Sequence, residues 1–190
     1  MVGKIFITRQ GYDPQLGKHV KDPYLGDSPS LGACRPDIRK ALKEGDHIFT
    51  ISGRVPQANQ YIMGGFEIDQ KIDADIAYAR FPEQRLQQRQ DGQLTGNIII
   101  DQTGKQHSLD DHNGFDRRIK NYIVGKNLIA LSEPAEIAIG REQTLEALQD
   151  ILHRQGDSPF AVVGRFGTKL TEEQVIELRK WLRSIKGTVN

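Results

Sequence analysis

Short apolar runs separated by polar stretches occupy the first two thirds of the chain, and two helix-period stripes close it. "KIFIT", Lys4 to Thr8, is short, β-branched and followed by a turn, which predicts a first strand. From Arg9 to Ala33 the chain reads as one long loop holding "GYDP" and "KDPYLGDSPS". Loops of that length are uncommon in compact domains and are often functional. "RPDIRKALKEGD" predicts a short helix with Pro36 at its first position and Ile38, Ala41 and Leu42 on one face. Lys43 suits its C-terminal end and Gly45 closes it. "HIFTIS" predicts a buried strand and "VPQANQ" a connector. "QYIMGGFEID" alternates with period two, so Ile62, Gly64, Phe66 and Ile68 share a face. The Gly64-Gly65 pair weakens a strand unless a bend or a close neighbouring backbone needs the space.

"DADIAYARF" leans towards helix. "GNIIID" and "KNLIALS" predict later strands, separated by the polar loop "QTGKQHSLDDHNGFDRR". In "EQTLEALQDILHR" an apolar stripe runs through Leu145, Leu148, Ile151 and Leu152. "PFAVVGRFGTKL" predicts one more strand and a basic glycine loop. "TEEQVIELRKWLRSIKG" opens with Thr171 and Gln174 as a capping box and buries Val175, Leu178, Leu182 and Ile185. The sum is an α+β protein: a small curled or closed, mostly antiparallel barrel, with a short early helix and two C-terminal helices packed outside. No repeat or Pro/Gly/Ser-rich linker divides residues 1–190, which read as one domain with 141–190 as its helical C-terminal part.

With 190 residues, 37% apolar and 27% charged, the chain is long enough for a real core and does not have the composition of a disordered segment. Its longest apolar runs are too short to cross a bilayer, and "MVGKIFITRQ" has no apolar signal core, so a cytosolic location without membrane contact is expected. Cys34 is the single cysteine, which excludes an internal disulfide and a cysteine-based zinc cluster. A net charge of +1 means that any nucleic-acid contact needs locally clustered Lys and Arg.

The run "CRPDIRKALKEGDHIFTISG", followed by "YIMGGFEI", resembles the signature of the PUA-like β-barrel group, which includes the EVE, ASCH and YTH domains. The closer similarity is to the nucleotide modification associated domain type 2 family. There a "GYDP"-like loop precedes a cysteine, a basic residue and proline, then an Ile-Arg helix, Gly-Asp and a strand. "GNIIID", "VGKNLIALSEPAEIAIG" and "GRFGTKLTEEQVIELRKWL" are similar in order and character, so the resemblance covers most of the chain. The loop "DDHNGFDRRIKNYIVGK" and Gly167-Thr168 depart from the family pattern. The resemblance implies a PUA-like barrel whose helix and Gly-Asp turn feed a strand reaching a ligand pocket. It also implies binding of a modified base in DNA, or of a modified nucleotide, within a bacterial or viral modification or phage-defence system. A nuclease or modification enzyme is then the expected protein partner, and no cofactor is expected.

The residues support more than one reading. Ser52-Gly53-Arg54 is either a turn after a core strand or a pocket floor, with the Ser52 hydroxyl pairing a base edge, Gly53 allowing close approach and Arg54 meeting a phosphate. Tyr12 is a packed loop aromatic or a stacking surface, with Asp13 beside it to accept an amino hydrogen. Arg35, Arg39 and Lys43, spaced by four, form a solvated helix face or a set of phosphate contacts. Arg117, Arg118 and Lys120 make a second basic cluster, and Arg165 and Lys169 a third. His107, Asp110, Asp111 and His112 have metal-ligand chemistry but no recognised spacing, so no metal is expected. Binding without turnover is the first reading. The alternatives are an enzyme that makes or removes a nucleotide modification, using Cys34, Asp13, Asp111 and His112, and a protein-interaction module built on the late helices.

Overall fold

The computed structural model describes residues 1–189. Hydrogen bonding orders six strands as β2-β7-β4-β3-β1-β8, with a separate two-stranded ribbon β5-β6. These strands are β1 (Gly3–Ile7), β2 (Ser30–Leu31), β3 (His47–Ile51), β4 (Ile62–Ile72), β5 (Gln87–Gln88), β6 (Leu94–Thr95), β7 (Tyr122–Ala130) and β8 (Thr168–Leu170). The β1/β3 pair is parallel, and β1/β8, β2/β7 and β3/β4 are antiparallel. The fold is therefore α+β with a mixed sheet. Its order is open-ended, with β2 and β8 as end strands, so a closed ladder is not seen among the described residues.

The chain divides into two compact units. The first unit takes residues 1–18, 46–67 and 127–190. Its strand β3 is buried at every position, because both its faces are covered. The glycine pair of β4 is explained by close packing. A Cβ on Gly64 would lie 2.5 Å from the Ile129 carbonyl oxygen, and one on Gly65 would lie 2.3 Å from the Phe49 ring. The helices of this unit are α4 (Pro134–Leu152), α5 (Pro159–Val163) and α6 (Glu172–Val189). Helix α4 starts well before "EQTLEAL", because Pro134 and a Glu133/Glu136 capping box begin it. The segment expected as a strand at "PFAVV" is α5 instead. Ser158 caps it by accepting from the Ala161 N–H at 3.3 Å, and Pro159 presets the first turn. Helix α6 has the expected Thr171/Gln174 box, with reciprocal bonds of 3.0 and 3.3 Å. Its stripe Val175, Leu178, Leu182 and Ile185 is buried.

The second unit takes residues 19–45 and 68–126. It holds α1 (Pro36–Ala41), α2 (Ala74–Arg80), a 3-10 turn (Pro82–Gln84), α3 (Phe115–Arg118) and the β5-β6 ribbon. Helix α1 stops at Ala41, so Lys43 and Gly45 lie beyond it, and its buried side is Ile38, Arg39 and Leu42 with Ala41 exposed. The long loop before it carries the short strand β2. "GNIIID" forms no strand. Ile98 to Ile100 are buried, and Ile98 and Ile100 make isolated bridges to Arg85 and Gln106 without a neighbour running alongside. The core gathers Ala77, Phe81, Ile98, Ile100 and Tyr122.

Candidate functional site

The end of β3 has been closed by backbone. The Ser52 hydroxyl accepts from the Tyr61 N–H at 3.2 Å, and the Ser52 carbonyl accepts from the Gln60 side chain at 2.7 Å. Ser52 has no exposed surface. A Cβ on Gly53 would lie 2.0 Å from the Arg9 carbonyl oxygen, so its missing side chain admits the Arg9–Tyr12 loop and not a ligand. The Gly53 N–H donates to the Tyr12 carbonyl at 2.7 Å. Tyr12 is partly buried.

Asp13 is fully buried and occupied. Its carboxylate accepts from Arg141 at 2.9 and 3.1 Å and from the Gln15 and Leu16 amides at 3.0 Å each. Burial alone would raise its pKa, but the Arg141 guanidinium and the two amides outweigh that and hold it below the usual carboxylate range. Arg141 also donates to the Asn59 carbonyl and lies over the Tyr61 ring, 4.7 Å from its centroid. Tyr61 is itself buried, which pushes its phenol up to about 12 and keeps it neutral. Tyr12, Asp13, Ser52 and Gly53 thus lie together, with the Asp13 carboxylate and the Ser52 hydroxyl both hydrogen-bonded within the protein.

A cleft opens one residue further on, at Arg54. Its volume is about 950 Å³, at the upper end of the usual range for ligand sites. Its polar lining is rich in carboxamides: Gln10, Gln57 and Asn59 are exposed there, each carrying donors and an acceptor. Phe160, on the first turn of α5, lines the same space with 55% of its surface exposed. Arg54 and Arg165 are exposed on the lining, where Glu142 and Asp157 also stand. With Arg141 neutralised by Asp13, cations and carboxylates on the wall balance. Lys169 is exposed on the neighbouring strand β8.

The other predicted cations belong to the second unit. Arg39 is fully buried. Its guanidinium donates to the carbonyls of Ala33, Cys34, Arg118 and Lys120, so it stitches loops together and has no free face for a phosphate. Arg118 donates to the Ala33 and Asn113 carbonyls, Arg35 pairs with Asp37 at 2.6 Å, and Arg117 is exposed. Cys34 shares this region with Asp22, whose carboxylate accepts from the Gly32, Ala33 and Cys34 amides and from Asn97. Burial and that carboxylate push the Cys34 thiol far above its usual range, which removes the thiolate a nucleophile needs. Asp110, Asp111 and His112 bring donor atoms within 4.8 Å of one another, and the His112 ring meets Asp110 at 2.6 Å. Of the residues of the enzyme alternative, Asp13 belongs to the first unit and Cys34, Asp111 and His112 to the second.

Comparison with known proteins finds no matching family model, curated protein or solved structure. Among the described residues, no helix is long and apolar enough to cross a membrane. The carboxamides of "VPQANQ" and the aromatic of "PFAVV" carry no signal in the sequence, where the first stretch reads as a connector and the second as a strand. What singles them out is their convergence on one cleft.

Proposed function

We propose that the first unit binds a nucleotide through its base, the modified base of DNA being the ligand that the PUA-like resemblance implies. The observation that carries this reading is the convergence of exposed carboxamides, an exposed phenylalanine and two arginines on one cleft of nucleotide size. A base needs its edge paired by groups that both donate and accept, and its ring stacked. Gln57, Asn59 and Gln10 supply the first and Phe160 the second. Arg54 and Arg165 meet the phosphate, while the two wall carboxylates disfavour long polyphosphates. The cleft also adjoins the end of β3, the strand that the resemblance assigns to the ligand pocket.

Titration with deoxynucleoside monophosphates, base-methylated and unmethylated, tests this. Phe160→Ala weakens binding about tenfold, the loss expected for one stacked base, and Arg54→Ala weakens it further. Binding indifferent to both substitutions removes the cleft as the site. Equal affinity for methylated and unmethylated bases removes the modified-base part of the reading and leaves the nucleotide part.

A further inference from the structure

Beyond the cleft rim, "GRFG" (Gly164 to Gly167) forms a tight turn, closed by the Gly167 N–H donating to the Gly164 carbonyl at 3.1 Å. Both glycines have positive φ, 79° and 74°, so the backbone holds the two intervening residues at the tip. Those residues are Arg165 and Phe166. Among the described residues Phe166 is the most exposed of the large apolar side chains at 72%, and the Arg165 guanidinium lies 5.7 Å from its ring centroid. The turn is anchored from below, where Lys4 donates to the Gly167 carbonyl at 3.2 Å. Lys4 of β1 and Lys169 of β8 are direct cross-strand partners, so two like charges stand side by side next to an exposed aromatic. Directly opposed like charges destabilise a sheet. A lysine on an end strand discourages edge pairing, but that does not account for a phenylalanine with most of its surface exposed.

We propose that this turn and the lysine pair form a stacking platform that carries a single nucleic-acid strand out of the cleft. The base adjacent to the one in the cleft stacks on Phe166, and the strand's phosphates lie along Arg165, Lys169 and Lys4. The chemistry is that of sequence-tolerant single-strand binders, which alternate aromatic faces with cations. This inference rests on the cleft reading and adds that the ligand is a strand and not a free nucleotide.

The test compares a short single-stranded DNA oligonucleotide with a deoxynucleoside monophosphate, by fluorescence anisotropy and competition. The oligonucleotide is expected to bind more tightly. Phe166→Ala lowers its affinity about tenfold and leaves that of the monophosphate unchanged, while Phe166→Trp restores it. Lys169→Gln makes the salt dependence shallower by about 0.7 in the log–log slope, the value for one phosphate on a single strand. Phe166 is exposed, so the Tm of its variants stays at the wild-type value. An oligonucleotide affinity unmoved by Phe166→Ala, or equal to that of the monophosphate, overturns the platform while the cleft stands. Oligonucleotide binding that needs Phe166 but neither Phe160 nor Arg54 overturns the cleft, and with it the path out of the cleft, and leaves Phe166 as a stacking site by itself. Absence of binding by both ligands overturns both.

Discussion

Asp13 and Arg141 stand 128 positions apart in the chain, yet their contact fixes a buried loop carboxylate behind Arg141, which lines the cleft. Removing one partner leaves a buried charge without its counterion. Asp13→Ala is therefore expected to lower stability by about 3–5 kcal/mol, read from urea unfolding. A second buried carboxylate behaves alike. Burial raises the pKa of Glu136, but Lys186, at 2.9 Å, and the Ser132 and Glu133 amides bring it below the usual range. Both carboxyls are thus more acidic folded than unfolded. Their stabilisation is complete above the ordinary carboxylate range and is lost as pH falls through their lowered folded values. The contribution of these two carboxyls should be flat between about pH 5 and 7 and fall below about pH 4. Asp13→Asn should flatten that fall, and an unchanged acid profile in this variant would argue against the ion pair.

Elements whose signals are local came through intact, and those that depend on neighbours did not. The α6 stripe and capping box need nothing beyond their own turn, and they are where the pattern put them. Leu178→Ala, which empties a fully buried position, should cost about 2–5 kcal/mol. Thr171→Ala, at the exposed cap, should cost about 1 kcal/mol. Failure of this ranking in thermal unfolding would contradict the packing described. The β4 glycines make a sharper case, since a Cβ at Gly64 meets main-chain atoms of Ile129 and Ala130 that cannot rotate away. Gly64→Ala should destabilise by about 1–3 kcal/mol through overpacking, against near-neutrality if the strand had room there. "PFAVV" shows the opposite limit: two valines suggested a strand, but a Ser-Pro start outweighs β propensity over five residues.

At the scale of the whole molecule, the first unit is assembled from three separate stretches of chain and the second from two. Strand β1 pairs with β3 and with β8, joining residues from the two ends of the sequence. Such non-local pairing makes loop closure the slow event. Stopped-flow refolding should therefore occur on a scale of about milliseconds to seconds, and a submillisecond phase accounting for the full amplitude would contradict this register. The same topology distributes the basic residues. Arg54, Arg165 and Lys169 belong to the first unit, while Arg35, Arg39, Arg117 and Arg118 belong to the second, where Arg39 is consumed by carbonyls.

By itself, the sequence determined the α+β class, the β1, β3 and β4 cores, the second half of β7, the early helix and the α4 and α6 stripes. Each of these is written in a period, a cap or a turn residue that acts within a few positions of itself, whereas the buried start of β7 (Tyr122 to Val124) lay in a stretch that reads as loop. Only the tertiary structure decided which polar groups remain available. Ser52, Gly53, Asp13 and Arg39 carry binding chemistry as residue types, but packing against distant backbone and Arg141 has used their hydrogen bonds. Gln57, Asn59 and Phe160 carry no motif, and they join Arg54 in a candidate site because the fold leaves them facing one open space. A side chain's chemistry is a local property, whereas its availability depends on what the rest of the chain places against it.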